Sequence, residues 1–189
     1  MKRQAIFSIV GIAFTLLMFS VHAPLTVYAQ SAPITIYLPL IATVSDCTMS
    51  TEEQQLAELI RNAPGQGRAA FTCNPLLATV AAAQARDMAT RGYINSIDPE
   101  GYGPNYRVRQ AGYPLPAYYN GTAIGNNIES IFAGYPSVDE VWAAAVNNDQ
   151  LYGRGDFWAK QTEFGIAYYC NPASPMGCYW VIITAPPTP

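Results

Sequence analysis

The chain has 189 residues, with 13 Asp and Glu against 10 Lys and Arg, and a formal net charge of −3. A modestly acidic chain with no basic run lacks the clustered cations from which nucleic-acid binding draws its affinity, so we expect no nucleic-acid partner. The same deficit disfavours binding to acidic membrane surfaces.

The first 29 residues have the organisation of an export leader. Lys2 and Arg3 precede an apolar run at 5–21, and residues 27–29 place small or apolar side chains where a leader peptidase cuts. We therefore predict a signal peptide at 1–29 and a secreted, extracellular mature protein. The apolar run is shorter than the roughly 20 residues that a transmembrane helix needs, so no stable membrane span is expected after leader removal.

Loss of the leader limits the chemistry that remains. It removes Lys2, Arg3 and His22, leaving eight Lys and Arg against 13 Asp and Glu, a net charge of −5, and no histidine. Ser-His-Asp and Cys-His mechanisms need an imidazole base, and most catalytic zinc sites use imidazole as a ligand. We therefore expect none of these, no metal and no cofactor. Carboxylate, tyrosine or lysine chemistry stays open.

Residues 30–46 form the first segment after the leader. They include a second apolar stretch at 34–41, which contains Pro39 and is too short to span a membrane. The segment is either an extended linker or a strand added to the domain. We place the domain itself at 47–185 and a Pro-rich, extended tail at 186–189.

Four helices are predicted within the domain. The Ser-Thr-Glu-Glu sequence at 50–53 is a capping box that opens a helix ending near Asn62. Asn74 is a suitable N-cap and Gly92 a suitable stop for the second helix, with apolar side chains at helical spacing between them. A short third helix is expected at 106–111. A second capping box, at Ser137, opens the fourth helix, which should end near Asn147.

Two strands, at 163–170 and 178–184, complete the predicted elements. Helices around a small antiparallel sheet give an α+β fold. Core positions are predicted for the strand tyrosines Tyr168, Tyr169 and Tyr179. Tyr118 and Tyr119 lie beside Pro and Gly residues, and we expect them at the surface, where a ring and a hydroxyl together suit ligand contact.

Four cysteines, at 47, 73, 170 and 178, read as two disulfides in an exported chain, with three connectivities possible. We favour Cys170–Cys178, because residues 171–177 form a turn-rich loop between two apolar strands. This choice leaves Cys47–Cys73 as the second bridge. The spacings match no zinc motif.

Several short motifs follow one another between residues 52 and 184: Arg-Asp-Met-Ala-Thr-Arg-Gly-Tyr at 86–93, Asp-Pro-Glu-Gly at 98–101, Gly-Asn-Asn-Ile at 125–128, a helix carrying Trp142, and Glu-Phe-Gly-Ile-Ala at 163–167. Their order and spacing resemble those of the CAP superfamily (cysteine-rich secretory proteins, antigen 5 and pathogenesis-related 1 proteins), in its short bacterial form. The resemblance implies a three-layer α-β-α sandwich. It also implies a central cavity that is commonly lined by two histidines and acidic partners able to hold a divalent metal.

Three positions of this cavity depart from the family pattern. Ser96 stands where a histidine usually precedes the Asp-Pro turn, Asn126 where a glutamate usually precedes Asn-Ile, and Asn148 where a histidine follows the tryptophan helix. Hydroxyl and carboxamide groups are weak zinc ligands and do not titrate near neutral pH, but they donate and accept hydrogen bonds. They therefore suit either recognition of an uncharged polar ligand or simple filling of the cavity.

Two carboxylates complete the candidate cavity residues. Asp98 belongs to the Asp-Pro-Glu-Gly sequence, which is best explained as a turn in which its side chain accepts bonds from nearby backbone N–H groups. Glu163 lies near the expected cavity edge as an isolated acid, and we expect it to pair with Arg or backbone rather than to act in catalysis. Arg107 is expected to form an ion pair with Asp98 or Glu129.

The sequence favours a non-catalytic, extracellular binding or interaction module, directed at an envelope glycan or a peptide. Two alternatives stay open. One is a hydrolase that acts on such a ligand through Glu163 or Asp98 without histidine. The other is a lipid-binding protein, as in some members of the family, which needs an open apolar groove between helices. The sequence indicates no oligomeric state.

Overall fold

The computed structural model describes residues 47–187. The predicted signal peptide at 1–29, the segment at 30–46 and the last two residues of the predicted tail lie outside the described residues. Within the described part, no helix has the length and apolarity needed to cross a membrane.

The described residues form six helices and four strands. In chain order they are α1 (Thr51–Arg61), β1 (Thr72–Cys73), α2 (Pro75–Arg91), α3 (Pro104–Gln110), β2 (Glu129–Ala133), α4 (Val138–Ala144), α5 (Asp149–Tyr152), α6 (Gly155–Ala159), β3 (Glu163–Cys170) and β4 (Cys178–Ala185).

Capping residues set the bounds of the two longest helices. Ser50 and Glu53 form the reciprocal hydrogen bonds of a capping box at the start of α1. At α2 the Asn74 side chain accepts from the first backbone N–H groups, and Gly92 ends the helix in the left-handed conformation at φ 71°. Both helices therefore begin and end where the sequence predicts.

The sheet has the strand order β1-β3-β4-β2 and is mixed. β4 pairs antiparallel with both β3 and β2, whereas the two residues of β1 pair parallel with the start of β3. The sequence predicts an antiparallel sheet, and the parallel pairing of β1 with β3 makes the sheet mixed instead. A two-residue strand has no alternating pattern of its own, so its pairing was not visible in the sequence.

Two separate hydrophobic cores cover the two faces of the sheet. Along β4, Val181 and Ile183 pack into the core built with α2 and α3, while Trp180 and Ile182 pack into the core built with α1, α4 and α5. This alternation places one helical layer on each face. The predicted α+β fold and three-layer α-β-α sandwich are confirmed.

The backbone of α2 lies directly against β3. A Cβ atom added at Gly165 would lie 2.1 Å from the carbonyl carbon of Leu77 and 2.2 Å from the amide nitrogen of Ala78. Only a residue without a side chain fits there, because the helix backbone occupies the space. Two alanines of α2, Ala81 and Ala85, are fully buried and allow this close contact.

Both predicted disulfides are confirmed. Cys47–Cys73 joins the segment before α1 to β1, and Cys170–Cys178 closes the end of the β3–β4 hairpin. The two Cα–Cα distances are 6.1 and 4.0 Å. The bridges therefore secure both the entry to the domain and its central hairpin.

Three local predictions differ from the structure. α3 begins at Pro104, two residues before the predicted start, because proline suits the first turn of a helix. α4 ends at Ala144 rather than near Asn147, since Asn148 caps a new helix. Tyr119 is only 1% exposed, so its predicted surface position is wrong, whereas Tyr118 is 68% exposed.

Candidate functional site

Ser96 and Asn126 lie together. Asn126 Nδ2 donates to Ser96 Oγ over 3.1 Å. Ser96 follows α2 and Asn126 precedes β2, so the contact joins the loop after the helix to the start of an edge strand. The structure thus brings two of the three departing family positions into direct contact.

The Asn126 carboxamide is fully used by the protein. Its Oδ1 accepts from the backbone N–H groups of Ile128 and Glu129, at 3.2 and 3.0 Å. Its Nδ2 donates to Ser96 and, over 3.2 Å, to the Glu129 carbonyl. Two donated and two accepted bonds are the full capacity of an amide side chain. A glutamate here could not donate either bond when ionised.

Glu129 and Arg107 form a buried ion pair beside this contact. Arg107 Nη2 lies 2.8 Å from Glu129 Oε2, and Arg107 Nη1 donates to the backbone carbonyls of Ser96 and Tyr102. Burial raises the pKa of Glu129, while Arg107 and the Ser96 hydroxyl lower it. The expected pairing of Arg107 with Glu129 is present, and the Asp98 alternative is not the observed pair.

Asn148 lies on the other face of β2. It caps α5 by accepting from the Leu151 N–H, and its Nδ2 donates to Ser130 Oγ over 2.9 Å. Ser130 belongs to the face of β2 that carries Phe132, whereas Glu129 belongs to the opposite face with Ile131. Asn148 is therefore separated by the strand from the Ser96–Asn126 contact.

An uncharged hydrogen-bond network extends inward from Asn148. Ser130 donates to Gln150, Gln150 donates to the Thr184 hydroxyl, and Thr184 donates to Gln161. Gln161 then donates to the Tyr119 hydroxyl over 3.1 Å. Sequence reasoning missed these buried groups. Their only signal was the presence of polar residues among otherwise apolar core positions, which periodicity alone does not mark.

Glu163 is not the isolated acid that its sequence context suggested. Its Oε2 accepts from Asn74 Nδ2 over 2.7 Å and from the Tyr113 hydroxyl over 3.0 Å. Tyr113 also donates to the Pro186 carbonyl, and burial followed by the nearby Glu163 charge raises its pKa. Glu163 thus holds together the start of α2, the loop after α3 and the end of β4.

Asp98 takes part in the turn that the sequence predicts and also lines a cleft. Its Oδ1 accepts from the Tyr102 N–H over 2.8 Å. The cleft has a volume of about 280 Å³ and combines carboxylates, guanidinium groups and one amide; its lining includes Gln84, Asp87, Arg91, Asp98, Glu100 and Arg107. Arg91 bonds both Asp87 and Glu100, which lowers the pKa of Glu100.

A larger groove runs between α1 and α4. It has a volume of about 710 Å³ and is lined in part by Leu59, Ala63, Pro64, Val138 and Trp142. Polar side chains of α1, among them Gln54 and Gln55, line the rest. This groove lies on the face of the sheet opposite to the Asp98 cleft.

Residues 47–187 contain no group of three or more His, Cys, Asp or Glu side chains placed to hold a metal ion. The carboxylates near Ser96 are instead bonded to arginines or backbone.

Comparison with known proteins places this arrangement in a family. Residues 59–183 match the cysteine-rich secretory protein family, CAP. The chain belongs to this family.

The fold of this CAP domain is also similar to that of a solved structure, an outer surface protein from Borrelia burgdorferi. The two share 14% sequence identity with a TM-score of 0.50, over 72% of this chain and 90% of that chain. Identity at this level shows the fold alone. Among curated proteins, no sequence matches the chain significantly. Family membership and the two disulfides support an extracellular domain.

Proposed function

We propose that this CAP domain is a non-catalytic extracellular interaction module that binds an uncharged polar ligand, an envelope glycan. The observation that carries the proposal is the Asn126 side chain. At a position where the family usually has an acid, its carboxamide forms hydrogen bonds with Ser96 and with the backbone of Ile128 and Glu129. Ser96 and Asn148 likewise replace imidazoles with groups that do not titrate near neutral pH.

The carboxylates at the candidate site, Asp98, Glu129 and Glu163, have structural partners, which argues against the hydrolase alternative. Glu129 is buried against Arg107, and Glu163 accepts bonds from Asn74 and Tyr113. A glycosidase-type mechanism needs two carboxyl groups about 5–9.5 Å apart on either side of the scissile bond. Asp98 lines the cleft beside α2, whereas Glu163 begins β3.

The cleft that contains Asp98 offers the hydrogen-bonding groups for a glycan. Three carboxylates and two guanidinium groups line it, so sugar hydroxyls can donate to the former and accept from the latter. Tyr102 lies at the same loop, is 39% exposed and stacks on Tyr106 with ring centroids 4.4 Å apart. In this proposal Ser96 and Asn126 hold the loop, while Asp98 and its neighbours contact the ligand.

The test is a screen of soluble envelope glycans and peptides, followed by calorimetry with the best glycan. Asp98→Ala combined with Glu100→Ala should weaken binding at least tenfold, because the ligand loses two acceptors. Asp139→Asn, an exposed carboxylate on α4, is the matched control and should leave the affinity unchanged. Binding of peptides only, or glycan binding that ignores the double variant, would refute the proposal.

A second candidate, lipid binding, is favoured by the groove between α1 and α4. Leu59, Val138 and Trp142 supply an open apolar lining of the kind an acyl chain needs. Oleate titration should change the fluorescence of Trp142 in a saturable way, and Leu59→Glu should abolish the change. Glu100→Gln, at an exposed side chain in the other cleft, is the control. A flat titration of the unaltered protein would remove this candidate.

A further inference from the structure

The loop between α3 and β2 exposes a run of five residues, 120–124, to solvent. The run begins with Asn120-Gly121, the only Asn-Gly pair in the chain. The loop is held at this point, because the Asn120 backbone N–H donates to Asn127 Oδ1 over 3.1 Å. The Asn-Gly pair is therefore both accessible to water and fixed in conformation.

The Asn120 side chain forms a local turn that two other asparagines share. In Asn120, Asn95 and Asn171 the side-chain Oδ1 accepts from the backbone N–H two residues further on, at 3.0, 2.9 and 3.0 Å. This turn folds the carboxamide back onto the main chain that follows it. The next residue is glycine, serine and proline, respectively. The three positions thus form a natural series in which only the neighbour and its surroundings differ.

The neighbour decides whether the backbone nitrogen can attack the carboxamide carbon. Proline has no N–H to lose, and glycine alone has no side chain to crowd a ring closure. Within residues 47–187 neither Gly121 N–H nor Asn120 Nδ2 forms a hydrogen bond, so the fold holds neither the nucleophile nor the leaving group. A Cβ added at Gly121 would meet only Arg109 Nη1, at 3.9 Å, so there is also space for the ring.

The peptide group that joins the two residues has a cation beside its oxygen. The Asn120 backbone carbonyl accepts from Asn105 Nδ2 over 2.9 Å and from Arg109 Nη1 over 3.4 Å. Loss of the Gly121 proton places negative charge on this oxygen, because the nitrogen and oxygen of a peptide group are conjugated. The two donors therefore stabilise the anionic nucleophile. At Asn95 the corresponding carbonyl accepts from a neutral carboxamide instead.

We propose that Asn120-Gly121 is a site of spontaneous deamidation in which water is the co-reactant and Arg109 assists. The Gly121 nitrogen gives its proton to hydroxide and attacks Asn120 Cγ. The new N–Cγ bond forms, the Cγ–Nδ2 bond breaks, and the side-chain nitrogen takes a proton from water and leaves as ammonia. Water then opens the resulting succinimide at either carbonyl, which gives aspartate or isoaspartate. No group is oxidised or reduced, and residue 120 gains one negative charge.

The surroundings favour isoaspartate as the product. In isoaspartate the former main-chain carbonyl of residue 120 becomes a free carboxylate, while the chain continues through the former side chain. That carboxylate stays beside Asn105 and Arg109, which already donate to its oxygen. A charge-assisted hydrogen bond to Arg109 is stronger than the bond to a neutral carbonyl that it replaces. The inference is independent of the ligand proposed above.

The first test follows the protein itself, with both disulfides intact, during incubation at about pH 8. Peptide mapping by mass spectrometry, with fragmentation that separates the two products, should show Asn120 reacting at least tenfold faster than Asn95, with isoaspartate in excess. Asn171 should not react by this route. The capped peptide Ala-Tyr-Tyr-Asn-Gly-Thr-Ala lacks Arg109 and should react no faster than the folded protein.

Four results of this test would overturn the proposal. They are equal rates at Asn120 and Asn95, aspartate as the only product, a free peptide that reacts faster than the protein, and a glycan on Asn120. The last is included because Asn-Gly-Thr is also an acceptor sequence for N-glycosylation.

Variants separate the roles of the two neighbours. Gly121→Ala fits the open space and should slow the reaction at least tenfold without unfolding the domain. Arg109→Gln removes the cation and should slow it about threefold, whereas Arg109→Lys keeps the charge and should retain most of the rate. A faster reaction in Arg109→Gln would show that Arg109 acts only by holding the loop, and an unchanged rate in Gly121→Ala would exclude ring closure.

Discussion

Arg107 Nη2 and Glu129 Oε2 lie 2.8 Å apart, and their side chains are only 15% and 0% exposed. Arg107 Nε and Glu129 Oε1 have no hydrogen-bond partner in the described structure. The pair therefore takes two charges out of water with incomplete compensation, so its two members should respond differently to substitution.

Arg107→Met should destabilise the domain strongly. The substitution leaves Glu129 buried without its counter-charge and removes the donor to the Ser96 and Tyr102 carbonyls. Loss of one partner of a buried pair costs about 3–5 kcal/mol, which chemical denaturation at pH 7 would measure. Arg154→Met, which breaks the exposed pair with Asp149, should cost less than about 1 kcal/mol. Similar costs for both would contradict the buried-pair interpretation.

Glu129→Gln should cost less than Arg107→Met, because Arg107 is partly exposed and keeps its bonds to two backbone carbonyls, and it should change the pH dependence of stability. Because burial raises the pKa of Glu129, the folded state holds the carboxyl proton more tightly than the unfolded state. The stability from this group is present below the unfolded pKa and is lost as pH rises through the folded pKa. The difference in unfolding free energy between wild type and variant should therefore fall with rising pH. A difference that grows with pH would show a lowered pKa instead.

Arg68→Met should also cost stability, about 3 kcal/mol, for a different reason. The Arg68 guanidinium donates to the backbone carbonyls of Gln150, Leu151 and Gln161, and burial lowers its pKa to about 10. Its loss removes one donor from each carbonyl. The Gln150 and Leu151 carbonyls keep Gly153 N–H and Gln66 Nε2 as donors, whereas no other donor within residues 47–187 reaches the Gln161 carbonyl. Lys160→Met, at an exposed cation, should change thermal stability little. Comparable melting temperatures of the two variants would argue against this role of Arg68.

Gly165→Ala should destabilise by about 3 kcal/mol or more, because a methyl group there meets the backbone of Leu77 and Ala78. The helix α2 would have to move away from β3 to relieve this steric overlap. Gly121→Ala is a matched control, since its nearest atom would be 3.9 Å away. Urea denaturation of both variants gives the comparison, and equal midpoints would be inconsistent with the close contact.

Tyr119 should contribute to loss of stability at alkaline pH. Burial raises the pKa of Tyr119 to about 12, so its stabilising effect is present below pH 10, the usual tyrosine value, and is lost between about pH 10 and 12. Tyr119→Phe should remove this part of the decline and one late-ionising tyrosine from the ultraviolet titration. Tyr118→Phe, at an exposed ring, is the control and should leave the alkaline decline in place. Equal effects of the two substitutions on that decline would contradict the burial assignment of Tyr119.

The elements that the sequence predicts best are those with local end signals. Ser50 and Ser137 open helices through capping boxes, and Asn74 and Gly92 bound α2, so these positions follow from contacts within a few residues. β2 lacked such a signal. Its sequence alternates only weakly, and its start depends on the Asn126 side chain bonding the backbone of Glu129. α5 and α6 are too short for helical periodicity to appear.

The candidate site was predictable in composition but not in arrangement. The motif resemblance selects Ser96 and Asn126, and these two side chains are in contact. The sequence analysis also allows such side chains to fill the cavity instead of binding a ligand, and the Asn126 carboxamide does bond backbone groups. The sequence gives no indication that β2 separates Asn148 from them. The separation arises because Glu129 and Ser130 point to opposite faces of the sheet, and β2 was not among the predicted strands. Glu163 accepts bonds from Asn74 and Tyr113, which lie 89 and 50 positions away in the chain. Such distant pairs follow only from the tertiary fold.

The alternation of β4 between the two cores has a consequence for how the protein can diversify. Substitutions at Val181 or Ile183 reshape the layer that supports the Asp98 cleft, and those at Trp180 or Ile182 reshape the layer that supports the α1–α4 groove. Neighbouring residues of β4 therefore support different surfaces of the domain. Each face of the domain can change through its own half of the residues of one central strand while the packing of the other face stays unaltered.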